Sequence, residues 1–440
     1  MAHKLSQSQM DGLRLLLLGG MVFILFGIAL ENSASTPQVD FRMMYFPARC
    51  FLDHHDPYNA SNVSSVYLSE GDRYSLNSNG PQPIITQYVY PPTAFLVTLP
   101  VALLPWAMAK TVWLFLTFLS LILAAVFIWH LSENQAPILA GLLAGWLLAN
   151  SESLAITGTI AGIAMSLAIA SIWCITRERF IPAGILFLAV SLMVKPQDTA
   201  LIWLYLFLAG GVYRKRALQA LAAATALSLP IVLSLWAVAP HWLAELRANL
   251  AFFFAIHGIN TPGLASAGAH GIAKIVSLQA ILAVIHDDPR FYNPASYLLC
   301  APLLIIWAWK VLHLDRSIRN AMYSLAAAAP LSLLPTYHRL YDTKLLLLVI
   351  PACAMQWSKS RKLGGMVLAC TAVIFILTSD IVNAALYTFS RQTNEIAPAL
   401  TIAVQIFLVP FFLFVTGIVY LSLMLRNGES SCNAAVHKGS

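Results

Sequence analysis

The chain has 440 residues, 59% of them apolar and only 10% charged, against roughly 25% charged content in a soluble domain, so a water-soluble protein is excluded. The formal charge of +7, from 26 Lys and Arg against 19 Asp and Glu, sits singly or in short clusters between apolar runs and reports topology, not nucleic-acid binding. Runs at 15–30, 106–130, 217–239 and 399–424 match the about 17–25 residues that cross a bilayer core as helix. They are continuous, unlike the alternating strands of a membrane β-barrel. The chain therefore reads as an all-α polytopic membrane protein.

Lys4 and Arg14 precede the first run, which at 16 residues is long for a signal-peptide core and reads as an anchor. Loop 31–91 follows, with Asp40, Arg42, Arg49, Asp53, His54, His55, Asp56, Asp72 and Arg73, then Tyr88, Tyr90 and Pro91-Pro92. Segment 92–104 is apolar but only 13 residues long and carries Pro100; it reads as a re-entrant helix, because a full span there would invert every later charge cluster. Those clusters, Arg177/Arg179, Arg214/Lys215/Arg216, Arg316/Arg319 and Lys359/Arg361/Lys362, are placed in the cytoplasm with both termini.

Parity then assigns the rest. Short helices 181–194 and 199–213 meet at Lys195-Pro196-Gln197-Asp198, which falls outside together with the turn 150–158. Run 217–239 exits into a long external loop, 240–295; 296–313 returns, 320–334 exits, and Pro335 to Asp342 lies outside. The last spans are 344–357, 363–379 and 399–424. The expected architecture is one transmembrane domain over 1–426 with about twelve spans, followed by a short cytoplasmic tail, 427–440.

The extracytoplasmic face thus collects the unusual polarity, adding His241, Arg247, His257, Asn260, His270, Lys274, His286, His338, Arg339 and Asp342 to the first loop. A carboxylate at that level can serve as general base for a hydroxyl, and a lysine or arginine can hold a lipid phosphate. Such parts suit transfer of a sugar from a polyprenyl-phosphate donor, whose tail stays in lipid. A transporter or flippase of lipid-linked saccharides is the alternative, although the span interiors are almost free of charge, where transporters place ionisable groups. The histidines are too widely spaced for a metal motif, and the six cysteines show neither disulfide nor metal spacing.

The run Val39-Asp40-Phe41-Arg42-Met43-Met44-Tyr45-Phe46-Pro47-Ala48-Arg49, then His55-Asp56-Pro57-Tyr58, Tyr90-Pro91-Pro92, Leu99-Pro100 and Leu104-Pro105, resembles the first-loop signature of glycosyltransferase family 87. Lys195-Pro196-Gln197, Asn260 to Lys274, and Pro335 to Asp342 resemble further pieces of it; Gly158-Thr159 stands where the family usually shows Gly-Gln or Gly-Asn. The resemblance implies a GT-C helical bundle that uses polyprenyl-phosphate mannose and transfers the sugar to a glycolipid or other hydroxyl acceptor at the plasma membrane, and no cofactor is expected. It implies Asp40 as catalytic base, His338 as a polar residue at the reacting centre, and Lys195 and Arg339 as donor-phosphate ligands. Arg42, Tyr45, Tyr90, Asn260, Lys274 and Asp342 are candidate substrate contacts.

Overall fold

A computed structural model describes residues 5–34, 37–70, 83–132, 134–255, 260–262, 275–392 and 403–436. Among the described residues there is no β-strand, only an isolated bridge between Ile275 and Arg339. The first helix, Gln7–Ser33, starts at a capping box in which Ser6 and Gln9 satisfy each other's backbone N–H groups. It lies against helix Pro137–Leu148 at backbone distance. A Cβ at Gly141 would stand 2.0 Å from the Gly12 carbonyl oxygen, and one at Gly19 would stand 2.1 Å from that of Gly145. Small residues at such a crossing permit the close approach that helices use in lipid.

The interior is built on helix Ile318–Leu333, whose residues from Asn320 to Leu333 are all buried. A helix apolar all round belongs in the middle of a bundle, and this one packs against Val409–Val436 and the 3₁₀ segment Leu340–Val349. The C-terminal helix backbone continues to Val436, into the segment read from sequence as a tail.

Six helices among the described residues are long and apolar enough to span a membrane: Gln7–Ser33, Trp106–Leu131, Pro137–Thr157, Gly211–Val238, Pro289–His313 and Ala403–Arg426. A seventh arises if Arg361–Leu377 and Asp380–Leu386, bent by 51°, count as one. The protein is a helical membrane protein, and its full-length spans among the described residues are fewer than the about twelve expected. Ile181–Val194 and Pro196–Ala209 have 14 residues each, about 21 Å at the helical rise, short of a bilayer core of about 30 Å. Segment 92–104 is a short helix, Pro92–Ala102. Expected span 344–357 begins as 3₁₀ helix, and its buried Lys344 donates to the Asn150 and Thr378 carbonyls beside Asp380.

The described residues of the first loop are largely helical. They fold into helices Val39–Leu52 and Ala60–Ser69 over an aromatic core in which Phe41 stacks on Trp113 at 4.5 Å and on Trp106 at 5.6 Å. Apolar burial of this kind, about 25 cal/mol per Å², fixes the helix that carries Asp40.

Candidate active site

Asp40 sits in the first turn of helix Val39–Leu52. Gln38, left-handed at φ 52°, starts that helix by donating its N–H to the Ile156 carbonyl at 2.6 Å. The partner turn is shaped by Gly158 at φ 65°, where a Cβ would meet the Phe41 Cβ at 2.8 Å, and the Trp113 indole N–H donates to its carbonyl at 2.8 Å. Thr159, next in the chain, lines the same cavity as Asp40.

Lys195 is positioned by a break. A residue before proline is pushed into extended backbone, and Lys195 has φ −146° and ψ 74° while Pro196 opens the next helix. Its ammonium lies 3.1 Å from Asp198 Oδ2, contacts Asp342 Oδ1, and stands 5.3 Å from the centre of the Tyr341 ring. Arg339 sits in the turn after the central helix, where its peptide N–H donates to Asp342 Oδ2 at 2.8 Å. Its guanidinium donates to the Tyr337 hydroxyl and, through Nη2, to Asn260 Oδ1 at 2.6 Å.

These groups border one cavity of about 450 Å³. Asp40, Tyr90, Lys195, Asn260, Arg339 and Asp342 line it, with apolar walls from Met43, Leu246, Leu250, Phe253 and Phe254. Asp40 Oδ2 is buried and has no hydrogen-bond partner among the described residues, whereas both oxygens of Asp342 are occupied. Burial raises the Asp40 carboxyl above the ordinary carboxylate range, opposed by the positive charges of Arg339 and Lys195. A carboxylate so held has an open acceptor for a substrate proton.

Three expected residues fall elsewhere. Arg42 is 1% exposed; it donates to the Pro37 carbonyl at 2.9 Å and lies 4.9 Å over Trp106. Tyr45 is fully buried and donates to the Leu104 carbonyl at 2.8 Å. The reason is helical periodicity: at about 100° per residue, positions two and five after Asp40 turn away from the cavity, while Met43, three after it, does not. His338 is fully buried behind the wall, its Nε2 3.2 Å from Asp198 Oδ1, and does not line the cavity. Lys274 lies outside the described residues, as do His257 and His270.

Sequence reasoning overlooked Asp198, which it used only as a marker of the turn, and Tyr337 and Tyr341. A carboxylate three residues after a lysine, on one helical face and inside an apolar stretch, was the available signal for Asp198.

The structure thus defines a polytopic membrane protein in which a carboxylate and two cations from distant parts of the chain share an apolar-walled cavity. The family model described as glycosyltransferase family 87 matches residues 88–336, more than half of the chain. The chain belongs to glycosyltransferase family 87 and is a membrane glycosyltransferase. Tyr90, Lys195 and Asn260 fall within the matched residues; Asp40, Arg339 and Asp342 complete the cavity from outside them. No curated protein and no solved structure matches the chain.

Proposed function

We propose that this glycosyltransferase moves a sugar, mannose by the family resemblance, from a polyprenyl-phosphate donor to an acceptor hydroxyl on the extracytoplasmic face of the plasma membrane. The observation that carries the reading is the convergence of Asp40, Lys195 and Arg339 on one cavity. In the proposed step the acceptor hydroxyl gives its proton to Asp40 Oδ2 as its oxygen forms a bond to the anomeric carbon. The bond from that carbon to the phosphate oxygen breaks, and polyprenyl phosphate leaves with the electron pair. Arg339, whose fork can hold a phosphate in two places, balances the charge that gathers there. Lys195 contributes less directly, because Asp198 and Asp342 already flank it. Tyr90 and Tyr341 offer ring surface to the sugar. The sidedness rests on the basic clusters Arg177/Arg179 and Arg214 to Arg216 at the opposite ends of the helices flanking Lys195.

The test is Asp40→Asn in purified protein, assayed with a panel of labelled polyprenyl-phosphate sugars. A general base contributes about 10²–10⁴-fold, so transfer should fall by that factor while donor binding survives. A variant keeping more than about half of wild-type activity would remove Asp40 from the base role.

A further inference from the structure

Behind the cavity wall lie two titratable groups that the proposed step does not use. Asp198, 1% exposed, opens helix Pro196–Ala209 one turn after Lys195. One of its oxygens stands 3.1 Å from the Lys195 ammonium and the other 3.2 Å from His338 Nε2. The second ring nitrogen of His338, Nδ1, lies 3.1 Å from the Thr336 carbonyl oxygen. The Thr336 hydroxyl, at 3.4 Å, can rotate to give or take a hydrogen bond. Lys195 puts one positive charge between the carboxylates of Asp198 and Asp342, so the buried group keeps one negative charge in excess unless the imidazole holds both of its protons. With that proton in place, Asp342, Lys195, Asp198 and His338 form a buried row of alternating charge, two anions and two cations. Burial of charge is tolerable only in such paired form. The row ends at Asp342, which accepts the peptide N–H of Arg339.

We infer that Asp198 is a positioning residue for this enzyme: from behind the wall it balances a cationic His338 and Lys195, and so fixes the Lys195–Asp342 pair and the turn that aims Arg339 into the cavity. The activity readout of this inference rests on the polyprenyl-phosphate reading above; the charge row itself does not. His338 belongs in this arrangement as the far counter-charge, away from the reacting centre.

The row makes an unusual demand on double substitution. Asp198→Asn leaves two cations facing Asp342 alone, and His338→Gln leaves one cation between two carboxylates. The double variant removes one charge of each sign and restores the balance. In purified protein, Asp198→Asn should raise the donor KM about tenfold or more, the scale of one lost charged contact, with kcat changing much less. Asp198→Glu should recover part of the loss. The Asp198→Asn/His338→Gln double variant should have a donor KM and an unfolding temperature nearer to wild type than Asp198→Asn does, a coupling that independent structural damage does not produce. A wild-type donor KM in Asp198→Asn overturns the inference, and so does a double variant whose losses simply multiply. If Asp198→Asn does not fold, the double variant and Asp198→Glu carry the test: recovered folding of the double supports the row, and its failure beside a folded His338→Gln refutes it. A wild type that transfers sugar from no polyprenyl-phosphate donor sinks the donor reading, and the unfolding temperatures then decide the charge row by themselves.

Discussion

Replacing Arg339 by lysine keeps the positive charge in the cavity and removes the fork. In the wild type Nε reaches the Tyr337 hydroxyl and Nη2 reaches Asn260 Oδ1 at 2.6 Å, while the Tyr337 hydroxyl itself donates to Asn260 at 2.7 Å. A single ammonium on a shorter stem can satisfy one of these acceptors or the donor phosphate in one place, so at least one charge-assisted hydrogen bond is lost. That loss is about 1.5–3 kcal/mol, or about ten- to a hundredfold in donor affinity. Initial rates with labelled polyprenyl-phosphate mannose at saturating acceptor should show it as a raised donor KM, nearly the same for every acceptor. The thermal unfolding temperature should stay close to wild type, because the Asp342 contact is made by the Arg339 backbone and survives the change. A donor KM within about twofold of wild type, or a loss that depends on the acceptor, would place the phosphate elsewhere and refute the assignment.

Arg42→Met should lower thermal stability by about 1–3 kcal/mol, since it strips the Pro37 carbonyl of its buried donor, yet leave the donor KM unchanged; a selective KM effect would return Arg42 to the site. Burial and the neighbouring Asp56 carboxylate push Glu245, on helix Trp242–Phe253, up to about 7. A carboxyl raised in the folded state gives its stability below the ordinary carboxylate range and loses it as pH rises through about 7. The opening free energy across 242–253, from hydrogen exchange corrected for the intrinsic pH dependence of the amides, should therefore fall from the ordinary carboxylate range up to about pH 7 in wild type and stay constant in Glu245→Gln, and equal pH dependence in the two proteins defeats the argument. Cysteines at the exposed positions His55 and Gln197 should label alike with an impermeant reagent in intact cells, and one at Lys215 should not. Protection of Gln197→Cys would overturn the sidedness.

Much of the site was legible because unusual residues stand out in an apolar chain. Asp40, Lys195, Asn260, Arg339 and Asp342 are polar where the surrounding sequence is not, and they share one cavity. The Lys195 turn was legible for a local reason, the proline that follows it. What sequence could not supply was facing. Arg42 and Tyr45 sit in the same motif as Asp40, but the loop that contains them folds as helix Val39–Leu52, and periodicity sends them into the aromatic core. His338 has the polarity of a site residue, yet only the packing of two distant turns reveals that it meets Asp198 instead of the cavity. The span count met a similar limit: the run at 320–334 is buried inside the bundle, and burial inside a helical bundle looks the same in sequence as burial in lipid.

Asp40 and Arg339 stand some three hundred residues apart in the sequence, and the wall between them is supplied by Tyr90, Lys195 and Asn260 in that order. A nascent chain that has threaded its first helices into the bilayer therefore carries the Asp40 carboxylate without the cations that share its cavity. Until residues 335–342 emerge and dock on the Ile275 bridge and the Val276 backbone, there is no enclosed compartment, however well the earlier helices are inserted. A chain that ends before residue 335 lacks Tyr337, Arg339, Tyr341 and Asp342, and so would sit in the membrane as a half-walled precursor.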